Sequence, residues 1–319
     1  MLSYTESLSE PYRAGPDAGP VARHTTTGPP DVNEAMQVAA VARPGLRRLP
    51  IVPVSDLSVS RSELVNAGRL EEQEDDPNVG FYHSYEITGA VNGPGLRFTL
   101  FVNGCPLRCQ YCSNPDTWMM RNGRRVTADR MMEEIAKYAR ALKVANGGLT
   151  ITGGEPMLQI KFTGEIFRRA RHDLGLHTAL DSSGYLGDSA SEEYLDNVDL
   201  ILLDIKSWDP PTFRLVTSVD VGNTLRFARR LSDRGSHMWI RFVLVPGLTD
   251  AVDNVDGIAD FVASLQGVER VEVLRFHEFG VPKWEELGVP YQLAGVRPPE
   301  PELVARVERQ FRSRGLNVV

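Results

Sequence analysis

The sequence predicts an α/β protein whose core is a partial (β/α)6 barrel, and three observations support this fold class. Segments rich in β-branched and aromatic residues alternate with segments that carry apolar residues at helical spacing. The apolar run LILLDI at 200–205 has the composition of a strand that is covered on both faces, as in a parallel sheet. Six such strands can be counted from residue 96 onward, and their alternation with helices is typical of parallel βαβ units.

The predicted elements follow one another regularly along the chain. The first strand, LRFTLFVN at 96–103, precedes a helix with Thr127 as its N-cap and Asp129 in its first turn. The other strands are predicted at 148–152, 176–180, 200–205, 238–245 and 271–276. The helices are predicted at 128–142, 162–174, 221–233, 251–265 and 301–314.

Residues 1–78 differ from the rest and are predicted to be a disordered extension of a barrel domain at 79–319. They contain nine of the 21 prolines and no lysine, and their aromatic residues are Tyr4 and Tyr12. Such a composition does not support a packed core. A docking arm and a targeting peptide are the alternatives, although Glu6 comes too early for a transit peptide.

Composition and charge exclude several classes of function. The net charge is −7 and the pI is about 5.5, which argues against a nucleic-acid-binding protein. No apolar run reaches the roughly 18 residues that a membrane helix needs. All three cysteines lie in one short segment, which argues against a disulfide framework and for a reducing compartment, the cytoplasm.

The cysteine segment carries the strongest chemical signal in the chain. Cys105, Cys109 and Cys112 stand as Cys-x3-Cys-x2-Cys directly after the first predicted strand. Thiolates at such close spacing hold iron–sulfur clusters, and three of them leave the fourth iron of a four-iron cluster open. A structural zinc site would need a fourth ligand, which the segment lacks. Ordinary buried cysteines are the remaining alternative.

Polar residues stand at the carboxyl ends of the other predicted strands. Barrels of this kind place their chemistry at that end of the strands, so these residues are expected to meet at one rim. The candidates are Gly153, Gly154, Glu155, Asp181, Ser182, Ser183, Asp204, Lys206, Arg241 and His277.

Each candidate also has a purely structural interpretation. The aspartates and serines are common helix caps. Lys206 is either a solvated lysine or the partner of Asp204 or of a ligand carboxylate. Arg241 is expected either to point to the rim or to pair with an acid such as Asp204 or Glu155. His277 is either a loop histidine or a ligand-stacking ring.

Two further segments have open interpretations. The glycine-rich turn at 89–95 is either a lead-in to the first strand or a lip over the site. The segment KWEELG at 283–288 is either surface packing or a contact for a macromolecular partner.

At these residues the chain resembles a known family. The cysteine spacing with Tyr111 before the last cysteine resembles the radical S-adenosylmethionine signature. The runs VNGPGLRFTLFVNGCPLRCQYCSNPDTW, TGGEPMLQ, LDSSG, LLDIK, WIRFVLVPGLTD and RFHEFGVPKWEELGVPYQLAGVRPP resemble, in order, the pyruvate formate-lyase activating family. The resemblance covers residues 80–319 without a large gap.

The resemblance implies a TIM-like partial barrel of the radical S-adenosylmethionine type and a specific activity. A 4Fe–4S cluster would take one electron from reduced flavodoxin or ferredoxin and cleave S-adenosylmethionine to methionine and a 5′-deoxyadenosyl radical. That radical would abstract a hydrogen from one glycine of a glycyl radical enzyme in anaerobic glucose metabolism. The enzyme would be a cytoplasmic monomer.

The resemblance also implies roles for single residues. Cys105, Cys109 and Cys112 would hold the cluster. The expected contacts of S-adenosylmethionine are Tyr111, Gly153, Gly154, Glu155, Asp181, Ser182, Ser183, Asp204, Lys206, Arg241 and His277, of which Lys206 and Arg241 are also expected to act in catalysis. A monovalent cation would be held by Asp181, Ser182 and Asp204.

The chain departs from the family at three places. Asn92 stands where the family has an aspartate before its Gly-Pro-Gly turn, and Ser182-Ser183 replaces a Thr-Asn pair. The third departure is that residues 1–78 have no counterpart. In addition, no cysteine-rich insert of the kind that activators of several other glycyl radical enzymes carry follows Cys112, which favours the pyruvate formate-lyase type. The alternatives are an activator of another glycyl radical enzyme, a radical enzyme acting on a small molecule, and a non-catalytic redox sensor.

Overall fold

The computed structural model describes residues 78–89 and 91–319, and these residues form one sheet of eight strands with helices on its outer face. The predicted extension at 1–78 lies outside the described residues except for its last residue. The strands are β1 (Val79–Gly89), β2 (Leu96–Val102), β3 (Arg124–Thr127), β4 (Gly148–Gly153), β5 (His177–Ser182), β6 (Leu200–Asp204), β7 (Met238–Leu244) and β8 (Val268–Arg275).

Six of the strands form the predicted parallel series. The order in the sheet is β3-β1-β2-β4-β5-β6-β7-β8, and every pair from β2 to β8 is parallel. The outermost strands β3 and β8 do not pair with each other, so the barrel is open. The prediction of a partial (β/α)6 barrel is therefore confirmed.

Strands β1 and β3 add an antiparallel edge that the sequence did not indicate. Strand β1 pairs with β2 on one side and with β3 on the other. Its register shifts between Tyr82 and Ser84, where a bulge interrupts the alternation of inward and outward side chains. The sequence pattern of β1 is consequently too irregular for a strand prediction.

The helices predicted at 162–174, 221–233, 251–265 and 301–314 are all present, and their ends differ from the prediction by at most two residues. They are α1 (Ala128–Ala136), α2 (Ala139–Val144), α3 (Ile160–His172), α4 (Glu192–Asp196), α5 (Pro210–Thr217), α6 (Gly222–Arg234), α7 (Val252–Ala263), α8 (Val281–Glu286) and α9 (Pro301–Arg312). Thr127 caps α1 by accepting from the Arg130 amide at 3.2 Å, as predicted. The single helix predicted at 128–142 is wrong, because it is divided into α1 and α2. No helix among the described residues is long and apolar enough to cross a membrane.

The two faces of the parallel strands have different compositions. Side chains on the outer face, such as Phe98, Ile151 and Leu203, pack with the helices into the main hydrophobic core. The inner face holds a small apolar cluster of Ala179, Leu200, Leu202 and Trp239, with polar residues next to it. Charged side chains in the barrel therefore depend on partners from neighbouring strands.

The amino ends of the strands contain a buried cation. Arg97 of β2 is fully buried and donates to the Thr150 hydroxyl at 2.8 Å and to the Leu149 carbonyl. Burial lowers the pKa of Arg97 to about 10. Nη1 of Arg97 lies 3.2 Å from Nδ1 of His177. Burial of the His177 ring and the nearby charge of Arg97 lower the pKa of His177 to about 4.

This arrangement predicts acid sensitivity of the fold. Because the pKa of His177 is about 4 in the folded chain and about 6.5 as a free side chain, the unfolded state takes up the proton first as the pH falls. The contribution to stability is complete above about pH 6.5 and is lost on the way down to about pH 4. The unmodified protein should lose unfolding free energy between about pH 7 and about pH 5, and we expect this loss to be smaller by about 1 kcal/mol in His177→Asn. The expected difference is this small because the ring is partly exposed to solvent. Urea unfolding at both pH values measures it, and equal losses in the two proteins would contradict the assignment.

Candidate active site

A cavity of about 270 Å³ opens at the carboxyl ends of the parallel strands. It is reached by the cysteine segment after β2 and by the loops or last residues of the other parallel strands. Among the residues that line it are Cys105, Cys109, Tyr111, Cys112, Gly153, Gly154, Asp181, Ser182, Ser183, Asp204, Lys206, Arg241 and His277. Of the site residues predicted from the sequence, only Glu155 is not part of this lining.

Backbone hydrogen bonds fix the cysteine segment on the barrel. The amide of Cys105 donates to the Trp118 carbonyl at 3.0 Å, and the amide of Arg108 donates to the Thr217 carbonyl at 2.8 Å. The amide of Cys112 donates back to the Cys109 carbonyl at 3.0 Å, which closes a tight turn. The three thiols are therefore held on one loop whose two ends are tied to different parts of the fold.

The thiols are free and sit in an environment that disfavours their separate ionisation. Burial raises the pKa of Cys105 well above its ordinary value, and Cys109 and Glu155 raise it further. Burial likewise raises the pKa of Cys109 to about 12, although Lys206 acts in the opposite direction. A cationic centre would remove this penalty, and thiolates are the ligands of iron–sulfur clusters, so the donor set fits such a cluster.

The thiols do not converge on a single metal ion. Within residues 78–89 and 91–319, no group of three His, Cys, Asp or Glu side chains could hold one ion. A four-iron cluster does not require the thiolates to converge on one point, because each thiolate binds a different iron.

Arg241 is paired across the barrel with two carboxylates. Its Nη1 lies 3.1 Å from Oδ2 of Asp181, and its Nε lies 2.9 Å from Oε2 of Glu272. Burial alone would lower the pKa of Arg241, but the two carboxylates raise it. The expectation that Arg241 lies at the rim or pairs with an acid is confirmed, but its ion-pair partners are Asp181 and Glu272 and not the suggested Asp204 or Glu155. Asp204 and Arg241 are neighbours in the strand register, but the guanidinium reaches past Asp204 to Asp181 on β5 and, on its other side, to Glu272 on the adjacent strand β8.

Asp181 is held in place by a second donor. The Thr152 hydroxyl donates to Oδ2 of Asp181 at 2.8 Å. Burial raises the pKa of Asp181, and Arg241 opposes that rise. Asp181 and Ser182 are the last residues of β5 rather than part of the loop after it, so their positions are set by the sheet.

Lys206 pairs with Asp204, as one of the two sequence interpretations predicted. The distance from Nζ to Oδ2 is 2.9 Å, and Nζ also lies 5.7 Å from the centre of the Tyr111 ring. Burial would lower the pKa of Lys206, but Asp204 and Cys109 raise it well above its ordinary value. The ammonium group is therefore a fixed positive charge between the cysteine loop and the end of β6.

Tyr111 presents an unsatisfied group at the cavity. The side chain is 8 % exposed, and its hydroxyl has no hydrogen-bond partner within the part of the chain that the structure describes. Burial raises the pKa of this hydroxyl. A buried hydroxyl without a partner is costly, and a polar ligand group in the cavity would satisfy it.

Glu155 lies behind the cavity and supports its wall. Its carboxylate accepts from the Ser182 hydroxyl at 2.8 Å and from the amide of Ser183 at 3.0 Å, and it also accepts from the Met157 amide. Burial raises the pKa of Glu155, and the two serines oppose the rise. With these contacts Glu155 fixes the Ser182-Ser183 turn.

The glycine-rich turn before β2 is tied to the inside of the barrel. The carbonyl of Val91 accepts from Nη2 of Arg241, and the carbonyl of Asn92 accepts from the Thr150 hydroxyl. The turn therefore contacts the same arginine that lines the cavity. The backbone of this turn, and not a side chain, makes these contacts.

His277 lies at the cavity opening and is exposed. Its ring stacks on Phe279 with 4.3 Å between the ring centres and 28° between the planes. Trp284, by contrast, is fully buried and contacts Trp118 edge-on at 5.0 Å. For Trp284, the packing interpretation of KWEELG is therefore the correct one.

Sequence reasoning missed Glu272 and Thr152, which position Arg241 and Asp181. Glu272 lies opposite Arg241 in the register of β7 and β8. An acid in an apolar strand next to an arginine-bearing strand was the available signal. It could not be used without knowing which residues face inward.

Comparisons with known proteins identify close relatives. A family model described as "4Fe-4S single cluster domain" matches residues 91–208. The chain is 42% identical over 243 residues to proteins named pyruvate formate-lyase-activating enzyme from Staphylococcus epidermidis and Staphylococcus aureus, covering 74% of this chain and 96% of each relative.

Solved structures show the same fold. A radical SAM methyltransferase from Sphaerobacter thermophilus is 18% identical, with a TM-score of 0.53, and the match covers 83% of this chain and 82% of that one. Streptococcus suis SuiB bound to its precursor peptide SuiA is 16% identical, with a TM-score of 0.52 over 81% of this chain and 58% of that one. At these identities the likeness establishes the fold type of the barrel.

Proposed function

Because the chain belongs to the family of pyruvate formate-lyase-activating enzymes, we propose that it converts one glycine of a pyruvate formate-lyase partner into a glycyl radical. It is a radical S-adenosylmethionine enzyme that uses a 4Fe–4S cluster and S-adenosylmethionine. The observation that supports the proposal most is the convergence of the cysteine loop with the Asp204–Lys206 and Asp181–Arg241 pairs on one cavity. The relatives' names do not favour a small-molecule substrate or a different glycyl radical enzyme.

We propose that Cys105, Cys109 and Cys112 hold the cluster. When bound, the cluster and S-adenosylmethionine together supply a one-electron cleavage that yields a carbon radical able to take hydrogen from glycine. The tied backbone of the cysteine loop supports this role, because it keeps the three thiols on one anchored loop at the cavity.

The walls of the cavity are suited to bind S-adenosylmethionine. We propose that Gly153 and Gly154 bind its methionine end, because both line the cavity. A β-carbon at Gly154 would lie only 2.3 Å from the Gly104 carbonyl oxygen, so glycine is also needed there for packing against the cysteine segment. Tyr111 and His277 would flank the adenosine, and Ser182 and Ser183 would offer polar contacts from the turn that Glu155 supports.

The charged pairs at the cavity would orient the bound S-adenosylmethionine. Lys206 and Arg241 carry positive charge beside the cavity and are fixed by Asp204, Asp181 and Glu272. They would attract the ligand carboxylate without moving, which lowers the cost of binding. We also propose that oxygens of Asp181, Ser182 and Asp204 hold a monovalent cation; their position on one wall of the cavity supports this.

The remaining proposals concern the surroundings of the enzyme. We propose reduced flavodoxin or ferredoxin as electron donor, a monomeric state and a cytoplasmic location, the last supported by three free thiols.

We propose that residues 1–78 form a disordered extension of the domain at 79–319. The relatives match over 243 residues, about the length of that domain, which supports this boundary.

Release of 5′-deoxyadenosine tests the proposal. After anaerobic loading with iron and sulfide, dithionite and S-adenosylmethionine should give a slow release that increases when pyruvate formate-lyase is added. The increase should disappear when the partner carries alanine at its radical glycine. If the partner and its alanine variant had the same effect, the proposed substrate would be wrong.

A further inference from the structure

The chain that follows β8 forms an exposed border of the cavity. Residues 277–287, called the mouth segment below, begin with His277, which lines the cavity, and end just after α8. The side chains of the segment that are exposed to solvent in the structure, apart from His277, include Glu278, Phe279, Glu285, Glu286 and Leu287.

The other side chains of the mouth segment fasten it to the cysteine loop. Trp284 donates from Nε1 to the Cys112 carbonyl at 2.9 Å, and Lys283 donates to Oδ1 of Asn114 at 2.9 Å. Gly280 packs so closely on the loop that a β-carbon there would lie 2.8 Å from the Cα of Ser113. The segment is therefore fastened to the cysteine loop at three residues.

Phe279 is the most exposed of these side chains. It is 84 % exposed, more than any other large apolar side chain in the described part of the protein. Its ring lies on His277, and its amide lies 3.4 Å from Nδ1 of that residue. Single exposed apolar residues are ordinary, but an exposed aromatic ring stacked on a residue that lines the cavity is suited to serve as an anchor for a protein partner.

The glutamates around Phe279 give the surface a negative charge. Within residues 78–89 and 91–319, Glu278, Glu285 and Glu286 form no ion pair, whereas Lys283, the one cation of the segment, is engaged by Asn114 and Asp116. The exposed side chains of the segment therefore include one aromatic ring and three unpaired carboxylates. Its complement is a surface with an apolar side chain next to lysine or arginine.

We propose that the mouth segment is the docking surface for the glycine-bearing segment of the glycyl radical enzyme. In this complex an apolar side chain near the glycine covers Phe279, and a basic residue of the same segment faces Glu285 and its neighbours. This inference rests on the proposed function. A glycine that reaches the cavity must bring its flanking residues to the cavity border. The mouth segment starts at the cavity with His277, is fastened to the cysteine loop, and offers both contacts.

Glycyl radical formation on pyruvate formate-lyase, measured against the concentration of that partner, tests the proposal. The test variants are Phe279→Ala and Glu285→Lys in the loaded full-length enzyme. Matched controls lie at the opposite end of the barrel strands: Val144→Ala replaces another exposed apolar residue, and Asp233→Lys makes the same reversal at an exposed acid without an ion pair among the described residues.

We expect Phe279→Ala to raise the KM for pyruvate formate-lyase by roughly tenfold, with a smaller change in kcat and in the KM for S-adenosylmethionine. Glu285→Lys should raise the KM for the partner several-fold at low salt, and high salt should reduce the difference. Both controls should retain the KM of the unmodified enzyme.

Two outcomes overturn different statements. If both test variants kept the partner KM of the unmodified enzyme at low salt, the docking surface would be wrong and the proposed function would stand. If the unmodified enzyme formed no glycyl radical at any partner concentration, the proposed function itself would be wrong, before any variant is compared.

Discussion

Cys109→Ala is expected to abolish binding of the four-iron cluster. Cys109 lies between the other two cysteines, and residues 103–115 contain no fourth cysteine and no histidine that could take its place. After anaerobic loading, iron should fall from about four atoms per chain to nearly none, together with the visible absorbance of the cluster. Release of 5′-deoxyadenosine should fall below detection.

Val219→Ala provides the matched control. Val219 is also 9 % exposed and belongs to the same hydrophobic cluster as Cys109, so its truncation removes a similar amount of packing. It should retain the cluster. If Cys109→Ala bound as much iron as Val219→Ala, the assignment of the cysteine loop would be wrong.

Arg241→Met is expected to destabilise the fold strongly, which is the second largest effect that we predict. The substitution leaves Asp181 and Glu272 buried without their shared partner, and removing one member of a buried ion network costs about 3–5 kcal/mol. We expect the unfolding free energy to fall by this amount, measured by urea unfolding near neutral pH. Activity should fall even at temperatures where the variant stays folded, because Asp181 loses its fixed position.

Arg214→Met separates this effect from the simple loss of an arginine. Arg214 pairs with Asp220 at the surface, where ion pairs contribute less than about 1 kcal/mol. A loss of similar size in both variants would show that the network around Arg241 has no special role in stability.

The parallel strands could be predicted because each one combines apolar composition with a following helix. The apolar run of β6 and the helical spacing of α3 are signals of this kind. The edge strand β1 could not be predicted, because its bulge breaks the alternation of inward and outward side chains. In addition, its partners β2 and β3 are separated in the sequence by a long loop. The division between α1 and α2 was also missed, since no glycine or proline marks it.

The positions of the site residues could be predicted from the sequence, but the hydrogen-bond and ion-pair partners of several of them could not. The carboxyl ends of parallel strands meet at one rim, so the sequence order alone brought Asp181, Asp204 and the cysteine loop together. The partners of charged residues depend on register and on side-chain length. Arg241 therefore reaches Glu272 on the next strand, and Glu155 turns away from the cavity to hold the serine turn, which no sequence pattern indicates.

Electron paramagnetic resonance of the mixture with pyruvate formate-lyase tests the central claim most directly. The loaded enzyme, reductant, S-adenosylmethionine and the partner are combined without oxygen, and the signal of a glycyl radical is recorded. We predict a stable signal on the partner that requires the enzyme, S-adenosylmethionine and the partner's glycine. Cleavage of S-adenosylmethionine without any such signal would contradict the assignment of this chain as the activator of pyruvate formate-lyase.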